Sequence, residues 1–182
     1  MEQTIEKLLS WGAYKAAVVE VEDIEFDRRF REQCASNACG CYGKNYMCPP
    51  DAGDIDELID RARRYDKALV YQTVSALEDS YDFEGMMEAG KRHHRLTCRL
   101  REAIAAQGRL DVLHLGAGGC RECPVCAKAE GLPCRKPELA TPSLEAYGIA
   151  VSKLATLAGM KYINGQDTVT YFGAMLYKER DL

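Results

Sequence analysis

A chain of 182 residues matches one domain of ordinary size and leaves little room for a second, so the sequence predicts a single domain over residues 1–182. With 47% hydrophobic and 29% charged residues, the composition is that of a globular protein and excludes disordered, collagen-like and coiled-coil chains. A net charge of −4 does not suit a general phosphate binder, so nucleic acid is not expected as a partner.

Membrane association and secretion are not expected either. No stretch approaches the ~20 apolar residues that a membrane helix requires. The first residues, MEQTIEKLLSWGAYK, include acidic side chains and too short an apolar run for a signal peptide, so the sequence predicts a cytoplasmic protein. In that reducing compartment, nine cysteines indicate metal ligation or redox chemistry and not a disulfide framework.

Hydrophobic periodicity predicts helices and strands that alternate along the chain. In chain order these are an amphipathic stretch at 2–10, a strand at 15–24, a short helix at 26–33, a helix at 55–65, a strand at 68–74, a helix at 84–107, a strand at 111–115, a helix from Thr141 and Pro142 to Gly159, and a hairpin that joins 162–163 to a strand at 168–177 through Asn164 and Gly165. We therefore expect an α/β or α+β fold, with a single compact domain, a short central sheet, flanking helices and two cysteine-rich metal loops.

The clearest chemical motif is the cysteine-rich loop that follows the strand at 111–115. Cys120, Cys123, Cys126 and Cys134 form C-x2-C-x2-C-x7-C, and the first three match the opening of the ferredoxin-type run for a [4Fe-4S] cluster. Two-residue gaps let one tight loop present three thiolates to three irons, while the more distant cysteine reaches the fourth. The alternative is a structural zinc, which commonly uses two separate C-x2-C knuckles. Here the knuckles share Cys123, so the spacing favours a cluster.

An earlier loop contains four more cysteines in a less diagnostic pattern. Cys34, Cys39, Cys41 and Cys48 form C-x4-C-x-C-x6-C, and a proline follows the last cysteine, as in ferredoxins. A second cluster is the favoured interpretation, with zinc or a purely structural loop as alternatives. The one-residue gap makes Cys41 the weakest of these ligands. If only three cysteines bind, one iron is left open and the site could perform Lewis-acid chemistry.

The three histidines and the ninth cysteine are expected to have ordinary roles. His93 falls on the apolar stripe of the long helix and is predicted to be a hydrogen-bonded core residue. His94 and Cys98 are four residues apart and share a helix face, but two ligands do not make a metal site. His114 ends the strand before the second cysteine loop, where a plain strand histidine is favoured over a donor to a cluster sulfur.

Several motifs together resemble a family of predicted metal-binding proteins, a domain of unknown function common in anaerobic bacteria and archaea. The motifs are C-x4-C-G-x-Y-G-K at 34–44, C-P-P at 48–50, C-x2-C-x2-C at 120–126, L-P-C-R-x-P at 132–137, P-S-x-E-A-Y-G-I at 142–149 and V-T-Y-F-G at 169–173. The resemblance implies metal binding by Cys34, Cys39, Cys48, Cys120, Cys123, Cys126 and Cys134. Position 41 is variable in that family pattern, and Ala150 stands where similar proteins usually have an acidic residue.

These patterns predict an iron–sulfur protein with one or two [4Fe-4S] clusters that acts in electron transfer or redox chemistry with a redox protein partner. One alternative is an enzyme with a site-differentiated cluster, in which Cys34, Cys39 and Cys48 bind the cluster and an open iron binds substrate. The other alternative is a structural zinc-binding module that presents a surface to a protein partner.

Overall fold

An antiparallel sheet of four strands forms the centre of the computed structural model, which describes residues 1–108 and 111–179. The strands are β1 (Lys15–Glu20), β2 (Lys67–Ala76), β3 (Val112–Leu115) and β4 (Thr168–Tyr177). They lie in the order β1-β2-β4-β3, so the two long strands, β2 and β4, pair over their whole length in the middle of the sheet. The fold is a single compact α+β domain, which confirms the α+β form of the predicted class.

Five α-helices surround this sheet in the described part of the chain: α1 (Glu2–Ser10), α2 (Phe30–Ala35), α3 (Ile55–Ala62), α4 (Phe83–Ala105) and α5 (Val151–Leu157). Alternate residues of a strand point to opposite faces, so β2 contributes to two cores. Leu69 and Tyr71 pack with α1 and α4, whereas Ala68 and Val70 pack with the side of α3 and α5.

Buried hydrogen bonds connect the long helix α4 to the sheet. Its N-cap Asp82 accepts a hydrogen bond from the Gly85 amide, as expected for a helix start. His93 is only 2% exposed, and its Nδ1 lies 3.0 Å from the Thr73 hydroxyl oxygen, which confirms the predicted core histidine. The Tyr71 hydroxyl is 2.8 Å from that of Thr97 on the same helix.

The predicted helix over 141–159 is wrong in its first half. Gly116 forms a parallel bridge with Ser143, and a 3-10 turn at 145–147 ends at Gly148 with a φ of 73°. That left-handed backbone stops a helix, so α5 begins only at Val151. As a result, residues 142–144 run beside Gly116 at the start of the second cysteine loop, and residues 149–150 pair with residues 25–26.

Three other predicted elements also differ. The predicted hairpin does not form, because residues 162–163 are bends and β4 pairs instead with β2 and β3. The predicted strand at 15–24 ends at Glu20, and the predicted helix at 26–33 is replaced by α2, since Phe26 pairs with Ile149 in a bridge. Residues 109–110 and 180–182 lie outside the described residues.

No α-helix within 1–108 or 111–179 combines the length and the apolar character that a bilayer crossing demands.

Candidate metal centre

The first cysteine loop, residues 34–48, starts within the last turn of α2 and ends before α3. Asn37, Gly40 and Gly43 have positive φ angles, which let the chain reverse direction repeatedly within a few residues. The Asn37 carbonyl oxygen Oδ1 also accepts a hydrogen bond from the Tyr42 amide. These turns fold the loop around a cavity of about 480 Å³, whose lining includes all four predicted ligands: Cys34, Cys39, Cys41 and Cys48.

The four thiols of this first cavity differ in exposure. Cys48 is buried, Cys34 and Cys41 are partly buried, and Cys39 is exposed. The rest of the lining includes apolar groups such as Phe30 together with the polar side chains of Ser143 and Glu145. One side of the cavity is therefore open enough for a molecule outside the loop to approach the sulfur atoms.

The second cysteine loop surrounds a smaller cavity of about 20 Å³. All four of its thiols are partly buried and line this space: Cys120, Cys123, Cys126 and Cys134. A 3-10 turn at 127–130 ends at Gly131, whose φ is 67°, and returns the chain so that Cys134 reaches the cavity. Each set of four cysteines that the spacing grouped is thus gathered at one place, although their role as ligands stays a prediction.

The two loops are in direct contact and share a wall. The Asn45 Nδ2 donates a hydrogen bond to the Cys120 carbonyl oxygen at 3.0 Å, and Asn45 is 8% exposed. Gly119 lies against the first loop, because a Cβ built there would stand 3.2 Å from the Cys41 sulfur and 3.3 Å from that of Cys48. Asn45 also lines the second cavity, so the same short segments form part of the wall of both cysteine cavities.

The cysteine sulfurs include close neighbours, such as Cys39 and Cys41, but within the described chain they form no close trio. Among the residues that the structure describes, no three of these eight cysteine sulfurs lie within 4.8 Å of one another. Four thiolates on one tetrahedral zinc, with Zn–S bonds of about 2.3 Å, stand about 3.8 Å apart. The observed arrangement is therefore more open than a preformed zinc site.

Burial disfavours the thiolate form of several cysteines. Burial, together with the neighbouring Cys41 and Cys39 sulfurs, raises the pKa of the Cys48 thiol to about 12. Burial also raises the pKa values of the Cys34, Cys41 and Cys120 thiols. At neutral pH these groups would stay protonated without a cation, whereas a bound metal supplies the positive charge that stabilises thiolates.

Basic side chains stabilise the second cysteine loop through ion pairs and hydrogen bonds. The Lys128 ammonium donates a hydrogen bond to Asp51 at 2.6 Å and lies 5.4 Å from the centre of the Tyr46 ring. Arg135 pairs with Glu130 and donates to the Val125 carbonyl oxygen at 3.1 Å. These contacts hold the shape of the loop and place positive charge next to its thiols.

Sequence reasoning missed Glu122, which lies between Cys120 and Cys123. Its carboxylate reaches α4, where it is bound by Arg101 Nη1 at 2.9 Å and approaches His94 and Cys98. A local spacing pattern could not identify it, because Glu122 and Cys98 are brought together only by the packing of the loop against the helix.

His114 does not bind a cysteine sulfur. Both ring nitrogens are buried without a hydrogen-bond partner among residues 1–108 and 111–179. The imidazole lines a separate cavity of about 360 Å³ that also involves Arg101 and Tyr147. The structure therefore agrees with the plain strand histidine that was favoured for this position.

Comparisons with known proteins identify one relationship. A family model described as a predicted metal-binding protein matches residues 17–177, which include both cysteine loops. Neither the curated proteins nor the solved structures provide a match. Because the family model covers most of the chain, this protein belongs to the predicted metal-binding protein family DUF2284.

Proposed function

We propose that this protein binds two [4Fe-4S] clusters, one in each cysteine loop, and transfers single electrons to and from a redox protein partner. The observation on which the proposal rests is that two sets of four thiols line two cavities with a common wall. The chemistry that such clusters supply is one-electron transfer. The residues of this chain position the cysteine ligands of the clusters.

The arrangement of the sulfur atoms is compatible with clusters. Each thiolate of a [4Fe-4S] cluster binds a different iron, so the four sulfur ligands stand farther apart than on a single ion. The absence of any close trio among the eight described cysteine sulfurs fits this wider arrangement. The C-x2-C-x2-C spacing of the second loop points in the same direction.

The shared wall supports electron transfer between the two sites. Cys48 and Gly119 are in contact, and Asn45 joins the first loop to the Cys120 carbonyl by a hydrogen bond. Electrons could therefore pass between the loops through a short, well-packed stretch of protein. At the outer side, exposed Cys39, Val125 and Leu132 provide places where a partner could approach either site.

Metal and sulfide analysis tests the proposal directly. Protein purified without oxygen should contain iron and labile sulfide in equal amounts, and dithionite should produce electron paramagnetic resonance signals from two reduced clusters. Cys126→Ser and Cys39→Ser should each remove at least half of the iron. Cys98→Ser is the matched control, because Cys98 lies outside both cavities, and it should keep the full iron content. Bound zinc with no labile sulfide would contradict the proposal.

The size of the first cavity favours a second candidate function, an enzyme with a site-differentiated cluster. In that case Cys34, Cys39 and Cys48 bind the cluster, and the cavity of about 480 Å³ admits a small substrate to the open iron beside Cys41. Cys41→Ala distinguishes the two candidates. It should reduce the cluster content of an electron carrier that uses Cys41 as a ligand, but it should leave the cluster content of an open-iron enzyme unchanged.

A further inference from the structure

We propose that His94, Cys98 and Glu122 form a third metal site, which binds one zinc ion and is separate from both cysteine loops. The three side chains present an imidazole nitrogen, a thiol sulfur and a carboxylate oxygen, and these ligand atoms all lie within 4.8 Å of one another. Zinc binds all three of these ligand types in proteins. Neither the resemblance in sequence nor the spacing of the cysteines assigns a metal to these residues.

The distances match the edges of a tetrahedral zinc site. The Cys98 sulfur lies 3.5 Å from His94 Nε2 and 3.6 Å from Glu122 Oε1, and His94 Nε2 lies 3.7 Å from Glu122 Oε1. Zinc bonds of about 2.3 Å to sulfur and about 2.0–2.1 Å to nitrogen or oxygen place sulfur about 3.5 Å from the other ligands. The same bonds separate nitrogen from oxygen by about 3.4 Å. A small inward movement of Glu122 would complete this geometry.

Weak hydrogen bonds join the three groups to one another, and Arg101 contacts two of them, with Nη1 2.9 Å from Glu122 Oε1 and Nη2 3.6 Å from the Cys98 sulfur. A separation of 3.7 Å between His94 and Glu122 is too long for a nitrogen–oxygen hydrogen bond. A thiol such as that of Cys98 is only a weak donor and acceptor. The three ligand atoms face one point, where a single divalent ion can contact all of them more strongly than these weak bonds do.

The fold supplies the three ligands from two rigid elements. His94 and Cys98 are separated by four residues in α4, so they lie on the same face of one helix. Glu122 comes from the second cysteine loop, and Arg101 orients its carboxylate. Arg101 is itself held in place by hydrogen bonds to the Leu139 carbonyl and the Thr141 hydroxyl. Such outer partners of a ligand commonly raise metal affinity.

The charge and coordination of the site also suit zinc. A thiolate, a carboxylate and a neutral imidazole provide two negative charges for a divalent ion. In the part of the chain that the structure describes, no fourth His, Cys, Asp or Glu belongs to the group. Three protein ligands and a water are the pattern of zinc sites that keep an accessible position. The His94 side chain is 21% exposed, so solvent reaches the site.

Zinc binding to the anaerobically purified protein tests this inference. The protein should take up one zinc ion in addition to its iron when it is dialysed against zinc buffered by a competing chelator. X-ray absorption at the zinc edge should show one sulfur neighbour together with nitrogen or oxygen neighbours. Iron content, measured in the same samples, reports separately on the cysteine loops, so failure of the two-cluster proposal would be recognised independently.

Two variants show which residues bind the zinc. Cys98→Ser and His94→Gln should each weaken zinc binding at least about 10-fold and leave the iron content unchanged. His114→Gln is the matched control, because this partly buried histidine lies in a different cavity, and it should leave zinc affinity unchanged. The inference is overturned if the wild-type protein binds no zinc, if its zinc has four sulfur neighbours, or if Cys98→Ser binds zinc as the wild type does.

Discussion

Gly119 of the second cysteine loop packs against Cys48 of the first, because a Cβ built on Gly119 would stand only 3.3 Å from the Cys48 sulfur. Asn45 and Cys41 approach the same point, so three groups of the first loop surround this glycine. A side chain at position 119 would therefore require these three neighbours to shift. The contact makes the shape of each loop dependent on the other.

Gly119→Val should displace the first loop although residue 119 belongs to the second. The added side chain would overlap the sulfur atoms of Cys41 and Cys48, and such overpacking forces the neighbours to move. We expect the iron content to fall by about half or more, as measured by metal analysis and electron paramagnetic resonance. Gly116→Ala is the control, since the nearest atom to its Cβ is a methyl carbon of Thr141 at an ordinary 3.5 Å. An iron content in Gly119→Val equal to that of the wild-type protein would show that the loops separate easily.

Asn45→Ala should destabilise the contact between the loops. The Asn45 amide is buried and donates to the Cys120 carbonyl oxygen, so its removal leaves that acceptor without its partner. We expect a loss of about 1–3 kcal/mol in the free energy of unfolding, measured by urea denaturation under anaerobic conditions. Asn164→Ala is the control, because it removes a side-chain amide that bonds Thr170 and lines neither cysteine cavity, and it should lower the free energy of unfolding less. An equal loss of unfolding free energy in both variants would contradict a specific role for Asn45.

His114 should make the protein less stable in mild acid. Burial lowers the pKa of this imidazole from 6.5 to about 4, so the unfolded chain binds a proton that the folded protein excludes. Stability is therefore retained above about pH 6.5 and is lost as the pH falls towards about 4. Between pH 7 and pH 5 the loss from one such histidine is up to about 2 kcal/mol.

The variant His114→Gln isolates this contribution to the pH dependence. Urea unfolding at pH 7 and pH 5 should show a smaller fall in stability for the variant than for the wild type. Unfolding measured near pH 8 is the control, because neither the folded nor the unfolded state binds the proton there. The two proteins should therefore show the same dependence of the unfolding free energy on pH. The explanation fails if both proteins lose the same free energy between pH 7 and pH 5. His93, whose pKa burial also lowers to about 4, contributes a similar loss to both proteins.

Gly173→Ala should be strongly destabilising. Gly173 pairs with Tyr71 across β4 and β2, and a Cβ at this position would overlap the Tyr71 ring. That ring is fully buried and its hydroxyl is bonded to Thr97, so it cannot easily move aside. We expect a loss of about 2–3 kcal/mol in thermal unfolding experiments, whereas Gly116→Ala should cost much less. A wild-type melting temperature for Gly173→Ala would contradict this packing argument.

Features that depend on neighbours in sequence were predicted well. The apolar faces of α3 and α4 are local, as are the alternation that marks β1 and the compact apolar run that marks β2. Both groups of cysteines were recognised for the same reason, because short turns bring their thiols together. The fold class followed from this mixture of helices and strands.

Features that depend on distant partners were not predicted. β4 was assigned to a hairpin, but its pairing with β2 provides more contact than the short segment at 162–163 could. Gly148 interrupts the expected helix because Ile149 pairs with Phe26, which lies far away in the sequence. Glu122 joins His94 and Cys98 only after the second loop has packed on α4.

The common wall between the two cysteine loops has a consequence for how the protein matures. In the proposed two-cluster protein, closure of one loop around its cluster would fix Asn45 and Gly119 in position and give the other loop its final shape before it is filled. Incorporation at the first site therefore reduces the entropic cost of incorporation at the second. Half-loaded molecules should be scarce during reconstitution, and cofactor insertion should be cooperative.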